Sequence, residues 1–192
     1  MTDYIGSSNM IQGSSTYYTT DRNGNSNAAL ALNGGYTYVP SGVYFNTPFT
    51  IAVWAYPVSL GSCSRIIDFG SGGGSGGGVD NIVFSFSWGT TQTPYFYVNG
   101  INYFTSTTLT LNAWQHLAVT YDGSTINMYK NGVSIMSTSA SYTLSSMTRS
   151  NCYIGKSNWN DGYSNSIIDE LRIYDTVLSS SSITALMNQG IA

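Results

Sequence analysis

Charged side chains are scarce. Six Lys and Arg and nine Asp and Glu make up 8% of the 192 residues, with a net charge of −3, against about a quarter in an ordinary soluble domain. So few basic residues leave no electrostatic footprint for nucleic acid and no polybasic patch for a membrane surface. No apolar run approaches the ~20 residues that span a bilayer. Cysteine occurs twice, too rarely for a disulfide scaffold or a four-thiolate zinc site. Cys63 and Cys152 form either one long-loop disulfide or two buried thiols, and their spacing does not choose. Glutamate and histidine occur once each, as Glu170 and His116. No signal peptide is visible at Met1, and residues 1–192 read as one domain excised from a larger protein.

Aromatic residues, by contrast, reach 14%, and the hydrophobic share is 42%. That supply is enough for a large core and argues against disorder. Short β-branched and aromatic runs alternate with turn signals, the pattern of an all-β, two-sheet antiparallel sandwich. Strands are predicted over 49–56, ended by Pro57, and over 65–69, 81–86, 95–98, 101–104, 114–121, 125–130, 133–136 and 166–174. Asn99-Gly100, Asp122-Gly123 and Asn131-Gly132 supply turns whose two central residues need positive φ. A short C-terminal helix is predicted after the caps at 179–182, with Ile183, Leu186 and Met187 on one face. The run Ser71–Gly78 reads as a Gly-rich surface loop. It lacks the Lys-Ser/Thr and helix of a phosphate-cradling loop.

Several stretches occur together in order over residues 20–190. They are Thr20–Asn25 with Ala28–Gly34, Phe49–Trp54, Arg65–Gly70, Asn112–Tyr121, Met128–Gly132, Tyr153–Trp159 and Ile168–Asp175. In these the chain resembles the laminin-G-like, concanavalin A-like lectin/glucanase jelly-roll family. The resemblance implies two facing antiparallel sheets and an extracellular or cell-surface setting. It also implies an extra strand before the equivalent of Asp3, which is missing here: either the chain begins inside the domain or its N-terminal edge is built differently, and an unpaired edge strand there would favour association.

Some relatives in that family are glycoside hydrolases, which need two carboxylates flanking the bond. The single Glu, and Asp residues placed mostly at turns (21, 80, 122, 161 and 175), argue for a non-catalytic module. His116, inside a strand, reads as a half-buried histidine with a hydrogen-bond partner. Asp169 shares a strand face with Ile167, Leu171 and Ile173, while Glu170 and Arg172 point away. A buried carboxylate needs a partner, either backbone N–H groups, Arg65 or a hard cation. The resemblance implies a structural Ca²⁺ held by Asp169, with Asn33 and Gly34 completing the site.

Sugar recognition needs exposed aromatic faces beside amides and hydroxyls. Trp159 and Tyr163, with Asn158, Asn160 and Asp161, fall in a polar turn-rich stretch and form the first candidate patch. Trp88, Gln92 and Tyr95 form a second. Trp54 and Trp114, flanked by apolar neighbours, are expected in the core. The expected partner is a glycan, with an extracellular protein in an adhesion role as the alternative.

Overall fold

The computed structural model describes residue 3, residues 6–72 and residues 77–189. Two seven-stranded sheets, antiparallel throughout, stack into a sandwich. The first runs β1 (Ile11–Ser14), β4 (Tyr36–Val39), β15 (Asn151–Ile154), β7 (Arg65–Ser71), β8 (Val79–Ser85), β9 (Tyr95–Val98) and β10 (Ile101–Phe104). The second runs β13 (Val133–Ser139), β12 (Thr125–Lys130), β11 (Gln115–Tyr121), β6 (Phe49–Ser59), β16 (Asn165–Tyr174), β3 (Ala29–Ala31) and β2 (Tyr17–Thr19). A small ladder joins β5 (Gly42–Val43) to β14 (Thr148–Arg149). One helix, α1 (Ser180–Asn188), closes the described chain.

Alternation decides what lies between the sheets. In β6 the odd residues Phe49, Ile51, Val53 and Ala55 join Ile67, Phe69, Phe84, Phe96, Leu117 and Val119 in the central core. The even residues face outward. Ala52 packs with Ala118, Tyr129 and the helix residues Ile183 and Leu186 in a second, smaller cluster. Ser179 caps α1, its hydroxyl accepting from Ser182 N at 3.1 Å.

Trp54 and Trp114 are therefore not core residues. Trp54 lies on the outer face of β6, under the Arg22 guanidinium at 4.8 Å, and Trp114 packs edge-on to Tyr56. Nor does Pro57 end β6. It pairs with Ser166 of β16 beyond Ala55, where the ladder to β11 stops, so its missing N–H breaks no bond on that side. Asn99-Gly100 and Asn131-Gly132 adopt positive φ at both residues, whereas at Asp122-Gly123 only the glycine does. There the Asp122 carboxylate instead accepts from Ser124 N and Thr125 N, both at 2.7 Å.

The thiols of Cys63 and Cys152 are both buried and unbonded. Cys152 sits opposite Phe69 of β7, six residues along from Cys63, on the order of 15–20 Å by strand rise. A disulfide requires Cα atoms within about 7 Å.

Candidate functional site

Strand order brings the two predicted ligand patches together. Outward-facing residues of the first sheet align in the row Tyr38, Tyr153, Asp68, Val83, Tyr97 and Asn102. A neighbouring row holds Arg65, Ser85, Tyr95 and Phe104. The segment after β15 folds back over these rows. Its Trp159 meets Tyr97 edge-on, ring centroids 5.4 Å apart. Opposite, Trp88 stands edge-on to Tyr95 and to Phe104, both at 5.5 Å. Between these walls lies a pocket of about 280 Å³, lined by Cys63, Arg65, Trp88, Tyr95, Tyr97, Asn102, Trp159 and Asp161, with Val83 at its base.

Arg65 holds the pocket together. It is buried, and its Nη1 donates to Ser85 Oγ at 3.1 Å and to the Tyr95 hydroxyl. Nη2 donates to Ser157 Oγ at 3.2 Å and to Asp161 Oδ2 at 2.8 Å. Its guanidinium also lies 5.6 Å from the Tyr95 ring centroid and 5.7 Å from that of Trp159. Asp161 stays partly exposed, and its Oδ1 accepts no hydrogen bond among the described residues. Burial pushes the Tyr95 hydroxyl up to about 12 and raises Tyr97 as well, so both remain neutral donors.

Below this layer, Asp68 is fully buried. It accepts from Asn81 Nδ2 at 2.7 Å, Asn158 N at 2.8 Å and Asn158 Nδ2 at 2.9 Å. Burial raises its carboxyl pKa, opposed by those donors and by Arg65. Asn158, predicted to touch ligand, is instead a buried bracket that pins the 157–159 segment to β7. Gly77 adds the second support. A Cβ there would fall 1.8 Å from Trp159 Cε2, so only glycine allows the indole to lie against this backbone.

The other predicted ligand residues fall outside the pocket. Asn160 is exposed at its margin, and Gln92 does not line it. Tyr163 stacks on Tyr36, centroids 5.6 Å apart, and does not line the pocket. Arg65, Tyr97 and Asn102 escaped sequence reading. Tyr97 alone was signalled there, two residues from Tyr95 and so on the same strand face.

The residues proposed for calcium do not fit one. Asp169 is ion-paired with Arg22 at 2.8 Å, and the same guanidinium meets Glu170 at 2.8 Å. Ile167 pairs with Ala31 and Gly34 N bonds Ser164 O, which sets Asn33 and Gly34 roughly 13 Å along the ladder from Asp169. A bulge between Asp169 and Arg172, with Glu170 at φ 49°, also shifts the strand's phase. Ile168 enters the core and Ile173 is exposed, so Asp169 lies on the outer face. No group of three or more His, Cys, Asp or Glu residues able to hold a metal occurs among the described residues. A larger, more open cavity of about 490 Å³ lies on the second sheet beside Arg22, Trp54, Trp114 and Asn188. Its cation is already committed to Asp169, Glu170 and the Gln189 carbonyl.

Compared with known proteins, residues 31–184 match the family described as the concanavalin A-like lectin/glucanases superfamily. Comparison with curated protein sequences gives no match. Among solved structures, domain 4 of AbnA, a GH43 extracellular arabinanase from Geobacillus stearothermophilus solved with arabinotriose, aligns with TM-score 0.75 and 21% identity. That alignment covers 95% of this chain and 89% of that one. The binding domain of Paraclostridial Mosquitocidal Protein 1 aligns with TM-score 0.69 and 19% identity, over 94% and 47%. Trypanosoma rangeli sialidase aligns with TM-score 0.62 and 18% identity, over 83% and 27%. The chain thus spans about half of the toxin domain and a quarter of the sialidase. At these identities the likeness is one of fold.

Proposed function

The chain belongs to the concanavalin A-like lectin/glucanases superfamily, and from that membership and the make-up of its pocket we propose that it is a non-catalytic carbohydrate-binding module working outside the cell. The observation that carries this reading is the convergence of Trp88, Tyr95, Tyr97 and Trp159 around one accepting carboxylate oxygen and one amide. Aromatic rings take the CH face of a sugar, while Asp161 Oδ1 and Asn102 read its hydroxyls. The arabinotriose bound to the similar arabinanase domain supports the same ligand class. That enzyme is also described as extracellular.

A binding role, and not hydrolysis, is supported by the acids present. In most families glycoside hydrolysis uses two carboxylates about 5–10 Å apart, both facing the sugar. Here Asp161 is the one acid among the described residues that line the pocket. Asp68 beneath it is sealed from solvent and saturated by Asn81 and Asn158. Asp169 and Glu170 belong to the other sheet, ion-paired with Arg22.

The test is an oligosaccharide array followed by calorimetry on the best ligands, with arabino-oligosaccharides included. Trp159→Ala is expected to weaken binding by about tenfold or more, equivalent to roughly 1.4 kcal/mol. Trp88→Ala, at an exposed position that should not disturb folding, is expected to weaken it as well. Binding that ignores both substitutions, or cleavage of a bound oligosaccharide, refutes the reading.

A further inference from the structure

Each of the other five basic side chains has a polar partner. Arg22 meets Asp169 and Glu170, Arg65 meets Asp161, Arg149 meets Asp80, and Arg172 meets Glu170. Lys130 donates to the Thr108 carbonyl at 2.7 Å. Lys156 differs. Among the described residues it makes no ion pair and no hydrogen bond. Its ammonium lies 4.5 Å from the ring centroid of Tyr36 and 4.3 Å from that of Tyr153. Those two rings meet edge-on at 5.8 Å. Tyr163, 47% exposed, stacks on Tyr36 with ring centroids 5.6 Å apart.

In a chain with more acid than base, a cation with neither an anionic nor a hydrogen-bonded partner is conspicuous. The two rings order the lysine stem and hold the charge at a defined place without neutralising it, since a cation–π contact at such a site is worth about 0.5–1 kcal/mol. All three ammonium donors remain available. The exposed Tyr163 face beside them offers a stacking surface. Lys156 is three residues from Trp159, at most ~11 Å along the chain, so one short oligosaccharide can reach both.

We propose that Lys156, framed by Tyr36, Tyr153 and Tyr163, forms a second subsite that takes a negatively charged sugar unit, a carboxylate or a sulfate monoester. The module's ligand is then an acidic oligosaccharide whose neighbouring unit occupies the Trp88–Trp159 pocket. This rests on the pocket reading for the sugar chain but not for the charge.

Calorimetry with three probes tests it: an oligogalacturonate, its full methyl ester, and a carrageenan oligosaccharide of similar length, which carries sulfate monoesters and no carboxylate. A charge-assisted hydrogen bond predicts about tenfold tighter binding of an acidic probe than of the neutral ester. That preference shrinks at high salt and disappears in Lys156→Gln, while the control Lys130→Gln keeps it. Whether carboxylate or sulfate gives the larger preference identifies the charged group. No preference for either acidic probe over the neutral ester in the unaltered protein overturns the proposal, as does a preference that survives in Lys156→Gln. Ester binding lost in Trp159→Ala, with no acid preference, sinks the lysine subsite and leaves the pocket standing. An acid preference indifferent to Trp159→Ala does the reverse.

Discussion

His116, the single histidine of the chain, offers a clean thermodynamic test of the outer face of the second sheet. It is buried, aligned with Trp54 on β6 and through it with Asp169 on β16. Its ring meets Trp54 edge-on at 5.4 Å, and Nδ1 has no hydrogen-bond partner. Burial, reinforced by the charges of Arg172 and Arg22, pushes its pKa from 6.5 down to about 4. A depressed histidine pKa means that the unfolded chain binds the proton more tightly than the native one. Stability therefore rises with pH, and acidification removes it. The loss begins near pH 6.5, where the unfolded histidine protonates, and stops near pH 4, where the native one does. Between pH 7 and pH 4.5 this linkage amounts to about 2.5 kcal/mol. Urea unfolding at both pH values, on the unaltered protein and on His116→Phe, measures it by difference. Burial raises the carboxyl pKa of Asp68 and Asp169, which gives the opposite slope, but both groups are common to the two proteins. Asp169 lies two strands, about 10 Å, from His116, far enough for near-additive behaviour. The unaltered protein should lose about 2.5 kcal/mol more than the variant. Equal losses refute the assignment of a buried, neutral histidine.

Two further outcomes follow from the packing around the pocket and the thiols. Gly77→Ala should expel Trp159 from its seat, lowering saccharide affinity toward the Trp159→Ala level and red-shifting tryptophan fluorescence; unchanged binding and emission would mean that the backbone there does not position the indole. Cys152 should resist a thiol reagent until the protein unfolds, burial having pushed its thiol up to about 12, and reductant should leave the melting temperature unchanged, whereas a drop would reveal a disulfide between Cys63 and Cys152.

What the sequence made legible was local. Asn99-Gly100 and Asn131-Gly132 specify hairpin turns through their own backbone preferences, and Ser179 announces its helix by a bond three residues long. The short outer strands β1 to β5 escaped notice. They run two to four residues, too brief for alternation to stand out. The phase of β16 was misread because the bulge at Asp169–Arg172 inserts residues that a period of two cannot anticipate. Trp159 and Trp88 were named as separate patches, 71 residues apart. Their meeting depends on the order β15, β7, β8, β9, a non-local fact that no spacing encodes. The partner of Asp169 was missed for a related reason: Arg22, 147 residues away, supplies the compensating charge.

That pairing with a guanidinium points to how this molecule uses charge. A surface of Ser, Thr, Asn and Gly hydrates well but anchors loops weakly, because neutral hydrogen bonds contribute little net stability where water competes. Three arginines, Arg22, Arg65 and Arg149, instead sit where water is largely excluded and each bond is stronger. Arg149, fully buried, ties β14 to Asp80 and to the Tyr44 carbonyl. Arg22 ties the loop before β3 to β16. Arg65, with Asp68, Asn81 and Asn158 beneath it, ties the Trp159 segment to the sheet. Removing one partner from such a set strands the others, at about 3–5 kcal/mol, which makes these loops rigid supports for the aromatic walls they carry. On the proposed function, a sugar entering a pocket built this way meets ordered rings, so less of the binding energy is lost to immobilising side chains.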